Sequence, residues 1–195
     1  MRVPKVVDHE ERRGRLAEAV WALAVRGGLE GVTLRGVAAE AGVSMGQVQH
    51  YFPTMEALVR DALERAVREL NARIERSILA IADAGAAVVL RECLHALIRP
   101  DEESTRLLRF SVAVLGRTIS DPTLARVLAP GDDELLSFTA GLIATARRGT
   151  GDDRLDADIC WSLATSLGVD VAIGHRTPED ARAVLDYQID RVLRP

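Results

Sequence analysis

Residues 33–52 read TLRGVAAEAGVSMGQVQHYF, and their spacing decides the fold of the first part of the chain. Thr33 is an N-cap candidate. Leu34, Val37, Ala38 and Ala41 follow it at helical spacing and form one short apolar face. Gly42 stops that helix, Ser44 opens the next and Pro53 closes it. Two short helices joined by a tight turn around a glycine have helix-turn-helix spacing. Small residues on the first helix let the two backbones approach, and Val43, Val48 and Phe52 are expected in the core beneath the second. Met45, Gly46, Gln47, Gln49 and His50 then project outward, where a DNA major groove about 12 Å wide receives a helix.

Outside this stretch the pattern is helix after helix, with no period-two run of β-branched residues between turn signals. Upstream, Asp8 and Glu11 have capping-box spacing for a first helix with Leu16, Ala19, Val20, Leu23 and Ala24 on one face, ended by Gly27-Gly28. Downstream, Thr54 starts a long helix in which Leu63, Val67, Leu70, Ile74, Ile78 and Ile81 make one continuous stripe. Further helices are predicted over about 86–99, stopped by Pro100, and over about 103–118. A short segment from Asp121-Pro122 is broken by Pro130-Gly131, and helices follow at about 133–148 and, capped by Asp156, 157–174. Thr177-Pro178-Glu179-Asp180 opens the last one. The predicted fold is all-α with about nine helices. A helix-turn-helix domain covers residues 1–54 and a helical body covers 55–195.

Composition excludes several classes. With 195 residues, 48% hydrophobic and 28% charged, the chain has globular composition and is neither disordered nor collagen-like. No apolar run reaches the roughly 18 residues a membrane helix needs. MRVPKVVDHEERR turns charged where a secretory signal has its apolar stretch, so the expected location is the cytoplasm. Cys93 and Cys160 have no CxxC partner and fit two buried thiols in a reducing compartment. The net charge is −4, yet residues 1–56 carry seven basic and seven acidic side chains, so a polyanion is expected to prefer that neutral part. There is no HExxH, GxSxG, P-loop or strand-borne GxGxxG, and His9, His50, His95 and His175 are scattered. No catalysis, metal or cofactor is expected.

The residues T-L-R-x-V-A-x-x-A-G-V-S-x-G, then H-Y-F-P and E-A-L, resemble the TetR family of bacterial one-component regulators over residues 10–58. The remainder is similar to that family in helical architecture and length, which implies that residues 55–195 are a ligand-binding and dimerisation domain. VQHYF together with the T-P-E-D-A helix resembles the branch with a BetI-like C-terminal domain. Two positions depart from the family pattern. Gln49 stands where a tyrosine is usual early in the recognition helix, and Met55 where a lysine is usual before the long helix.

The resemblance implies a regulator, by family habit a repressor, that binds a pseudo-palindromic double-stranded DNA operator as a dimer and is released by a small apolar or amphipathic effector. By motif position, Thr33 and Ser44 either cap their helices or also bind phosphate. Arg35 reaches a phosphate or base edge or stays solvated. Gln47 reads adenine or closes a capping box with Ser44. Gln49 and His50 face base or phosphate, Met45 and Gly46 meet thymine methyls or allow close approach, and Tyr51 offers its hydroxyl to phosphate or only packs. A homodimer is expected through the last two helices, about 156–194, whose apolar faces include Ala164 and Leu167. An effector between helices 4 and 8 draws on Cys93, Leu97, Leu108, Arg109, Phe110, Trp161 and Asp170. Of these, Cys93 and Trp161 are equally core residues, and Arg109 and Asp170 equally an ion pair or surface charges. The alternative is a helical protein-interaction module without sequence-specific DNA binding.

Overall fold

The computed structural model of the chain describes residues 5–81, 83–99, 101–128 and 133–194. Among them there is no strand, and ten α-helices follow one another. They are α1 (Lys5–Gly27), α2 (Leu34–Glu40), α3 (Met45–Tyr51), α4 (Met55–Leu79), α5 (Ala86–His95), α6 (Glu102–Thr118), α7 (Pro122–Leu128), α8 (Asp133–Ala146), α9 (Asp153–Ala172) and α10 (Pro178–Leu193). Short 3-10 turns at Leu29–Gly31 and Ala96–Ile98 follow α1 and α5.

Two helix starts differ from the sequence expectation. α1 begins at Lys5, so Asp8 lies inside it and the Asp8–Glu11 spacing does not mark its start. α9 begins one turn early because Asp152, not Asp156, is its N-cap, accepting from the backbone N–H of Arg154 (3.1 Å) and Leu155 (3.0 Å). Asp156 instead pairs with Arg147 at the end of α8. The helix stops expected at Pro100 and Pro130-Gly131 lie outside the described residues.

The chain packs as two compact units, one of Met1–Glu69 with Arg109–Ala129 and one of Leu70–Leu108 with Pro130–Pro195. The divisions fall inside α4 and α6, so each of these helices runs from one unit into the other. In the first unit Leu16, Val20, Ala24, Val37, Val48, Phe52, Leu58, Leu63 and Phe110 are buried. Trp21 donates from Nε1 to the Ala62 carbonyl (3.0 Å) and tilts against Phe110 at 6.5 Å. Asp61, only 7% exposed, accepts from Arg13 (2.6 Å) and Arg65 (2.8 Å), which ties α1 to α4. Burial opposes the charge on Arg65, but hydrogen bonds to Asp61 and Glu10 outweigh it and raise its pKa.

The second unit closes over Leu90, Leu94, Ile98, Ile143, Cys160, Ala164, Leu167, Leu185 and Ile189. Gly168 is required here. A Cβ at that position would sit 2.7 Å from the Leu97 carbonyl oxygen, so only glycine lets α9 press against the turn after α5. Arg91 on α5 grips Asp186 (2.7 Å) and Asp190 on α10. Ala164 and Leu167, named above for a dimer interface, are buried in this unit's own core. The large apolar residues left exposed are Leu155 and Ile159 on α9, Ile173 at its C-cap, and Val184 and Tyr187 on α10.

Candidate nucleic-acid interface and effector cleft

α2 and α3 are fixed by their caps and their turn. Thr33 Oγ1 accepts from the Gly36 N–H (3.0 Å) at the start of α2. Gly42 takes φ +67°, a left-handed conformation open to glycine at no steric cost, and the chain reverses there. Ser44 Oγ accepts from the Gln47 N–H (3.2 Å) while Gln47 Oε1 accepts from the Ser44 N–H (3.1 Å), a complete capping box. The Gln47 amide is thus engaged with its own helix start, although its side chain stays exposed.

Below α3, Val48 and Phe52 are buried and Arg13 lies over the Phe52 ring at 5.0 Å. Val43 and Ala41 are only half-buried. Above it, Ser44, Met45, Gly46, Gln47, Gln49 and His50 are all exposed, as are Thr33 and Arg35 beside them. A Cβ at Gly46 would meet nothing closer than the Ser44 hydroxyl at 4.0 Å, so no internal packing requires glycine there. Tyr51 is half-buried, its ring edge-on between His9 (5.5 Å) and His50 (5.3 Å).

The arginines of the head divide into two sets. Arg26 forms a two-toothed pair with Glu40 (2.6 and 3.1 Å), joining the ends of α1 and α2, and this bond holds the Glu40 carboxyl below its ordinary pKa. With Arg13 on Asp61, two cations are spent on internal structure. Arg12, Arg15 and Arg35 are exposed, as is Arg26. Arg12 and Arg15 border a narrow crevice against Val43, Gln47 and Tyr51, and Arg15 also caps α2 through the Ala41 carbonyl (3.2 Å). These two α1 residues flank the projecting helix and were missed in the sequence. Their three-residue spacing in ERRGR, which places them on one helix face, was the available signal.

The seven residues expected around an effector divide between the two units, Arg109 and Phe110 in the first and the other five in the second. Cys93, Leu97 and Trp161 do meet, around Ile74 and Leu135. The fully buried Thr139 accepts from Trp161 Nε1 (2.9 Å) and is hydrogen-bonded to the Cys93 thiol. Burial pushes that thiol up to about 12, with the Thr139 bond opposing. Leu108 is buried, Arg109 is exposed, and Phe110 belongs to the core of the first unit against Trp21. Asp170 pairs with His175 (3.4 Å) and Arg176 (3.5 Å). One of the open clefts of the second unit lies between α4 and α8, about 520 Å³ in volume and bordered by Asn71, Ile74, Glu75, Ile78, Leu79, Glu134, Leu135 and Phe138. Ile74 and Leu135 separate it from the Cys93–Trp161 cluster. Among the described residues no group of three or more His, Cys, Asp or Glu is placed to hold a metal ion, and no helix is long and apolar enough to cross a membrane.

Comparison with known proteins agrees with this geometry. Residues 16–62 match the family model for bacterial regulatory proteins of the tetR family. The chain is 34% identical over 104 residues to the HTH-type transcriptional regulator PksA of Bacillus subtilis, covering 53% of this chain and 50% of PksA. It is 31% identical over 125 residues to the HTH-type transcriptional regulator BetI of Burkholderia thailandensis, covering 64% of each. The match thus spans half of the first relative and less than two-thirds of the second. In fold it is similar to a transcriptional regulator of Rhodococcus at 28% identity and a TM-score of 0.79, over 93% of this chain and 95% of that one. Residues 16–62, with the capped α2–α3 pair inside them, thus carry the regulatory domain of the bacterial tetR family, in a chain whose whole helical fold is similar to that of a solved transcriptional regulator.

Proposed function

We propose that this chain is a cytoplasmic, dimeric transcriptional repressor, not an enzyme, with residues 1–54 as its DNA-binding head and 55–195 as its effector and dimerisation body. One observation carries the reading: α3 buries Val48 and Phe52 and offers Met45, Gly46, Gln49 and His50 to solvent. In this reading Gln49 and His50 read base edges, while Thr33, Arg35, Ser44 and Tyr51, with Arg12 and Arg15 of α1, hold phosphates and fix the register. Gln47 serves chiefly through the capping box that orients α3. A single head covers a half-site, so the operator is an inverted repeat read by a twofold dimer. Exposed Leu155, Ile159, Ile173, Val184 and Tyr187 on α9 and α10 are the apolar surface that the partner copy covers. A small effector in the α4–α8 cleft favours a conformation unsuited to the operator, which requires that it bind that conformation more tightly than the DNA-competent one.

The test is selection of duplexes from a random pool by the full chain, followed by titration of the winning sequence at increasing salt. Convergence on an inverted repeat with a steep loss of affinity as salt rises is expected. A helical interaction module, which the electrically neutral N-terminal 56 residues favour, gives no convergence and no salt-sensitive duplex binding. Ile159→Arg is expected to turn a sedimenting dimer into a monomer.

A further inference from the structure

The cleft between α4 and α8 has a one-signed character, and the following inference rests on its being the effector site. Its walls are apolar, from Ile74, Ile78, Leu79, Leu135 and Phe138. The charged residues that border it are Glu75 and Glu134, both exposed, and neither forms an ion pair with a described residue. Arg73 and Arg76 flank Glu75 in the sequence yet do not neutralise it. At about 100° per residue, α4 sets Arg73 roughly 160° and Arg76 roughly 100° round the helix from Glu75, on the same side as each other. Both line a separate cleft on the other flank of α4 with Ser77, Arg99 and Ser104, and Arg73 is held there by Asp101 (3.0 Å).

Two large apolar side chains at the mouth stay uncovered, Leu79 at 73% and Phe138 at 41% exposure. Apolar area left in water beside unpaired carboxylates is unfavourable twice over for a neutral or anionic occupant, which hides the walls but strips water from the carboxylates without replacing it. A cation with an apolar body answers both. Its head offsets Glu75 and Glu134, its body covers Ile74 and Ile78, and the Phe138 ring presents a π face to positive charge. The volume, about 520 Å³, falls within the roughly 300–1,000 Å³ of small-molecule sites. We propose that the cleft takes an organic cation, an ammonium or amidinium head on an apolar body, with Glu75 and Glu134 as its counter-charges.

Isothermal titration of the full chain with octyltrimethylammonium, octanol and nonanoate tests this, since the three share an apolar tail and differ in head charge. The cation is expected to bind tightest. Because both carboxylates are exposed, Glu75→Gln/Glu134→Gln leaves the fold intact and weakens the cation roughly tenfold while leaving octanol unchanged. Glu134→Lys moves the preference toward nonanoate. The proposal is overturned if octanol or nonanoate binds the unaltered chain as tightly as the cation, or if the double variant keeps cation affinity within about twofold. Ile78→Trp, which fills the cleft, separates two kinds of failure. If it abolishes binding of octanol or nonanoate, the cleft stands as an effector site and only the charge assignment falls. If no probe binds the unaltered chain, both readings fall.

Discussion

Asp61→Asn is the most informative single change in the head. Asparagine keeps the shape of the side chain and removes its charge, leaving the guanidinium groups of Arg13 and Arg65 without their shared partner. Breaking a buried pair by neutralising one member costs about 3–5 kcal/mol when the remaining charge has no access to water. That limit applies only in part. The Arg65 side chain is 15% exposed and retains Glu10, whereas that of Arg13 is 41% exposed and recovers hydration. Assigning about 2 kcal/mol to the Arg65 side and at most about 1 to the Arg13 side gives roughly 2–3 kcal/mol. Urea unfolding followed by circular dichroism measures it, and hydrogen exchange of α1 amides locates it, because Asp61 is one of the residues that tie α1 to α4. The Arg13→Ala/Asp61→Ala cycle isolates the weaker of the two links. A loss below about 0.5 kcal/mol, the size of an ordinary surface substitution, refutes the reasoning and makes the cluster ornamental.

Gln47→Ala and Gln49→Ala are expected to separate stability from recognition. The first removes half of a capping box and costs about 1 kcal/mol of thermal stability, while the second leaves melting unchanged and alters operator preference in a base-substitution series. Met55→Lys restores a cation where α4 begins and is expected to tighten duplex binding across sequences and raise the salt slope by about one; an unchanged slope places residue 55 away from phosphate. Burial pushes the Cys93 thiol up to about 12 and the Cys160 thiol, with Asp156 adding to it, up to about 11. A folded pKa above the unfolded 9.0 means that this stability is fully present below pH 9 and is lost as pH rises through the folded values. Native protein at neutral pH should therefore resist thiol reagents until urea unfolds it; rapid labelling of the folded chain contradicts this.

The helix-turn-helix was legible because local signals agreed with one another. Thr33 and Ser44 had capping positions, Gly42 had the turn, and Val37 and Val48 had the spacing of two facing helices. The choice left open for Gln47 turned on a hydrogen bond that spacing permits but does not require, and in the structure that bond is made as part of a capping box. Asp152 and Asp156 were equally good caps by composition; Arg147, nine residues upstream of Asp156, drew that residue into an ion pair instead. The residues that border the α4–α8 cleft were not legible because an apolar helical stripe looks the same whether it lines a core or an opening. Ile74 and Ile78 read as core stripe yet border the cleft, and Phe110 read as cleft yet packs on Trp21. For the same reason Ala164 and Leu167 read as a free face although they pack inside their own unit. The α1 arginines escaped notice because only tertiary packing brings them beside α3.

The chain has two tryptophans, and the fold sends one to each compact unit. Trp21 is anchored on the Ala62 carbonyl in the first unit and Trp161 on Thr139 in the second. Each half therefore carries its own intrinsic fluorophore. Replacing either indole with phenylalanine leaves the emission of the other as an optical label, with no dye attached, for following its own half through melting or titration.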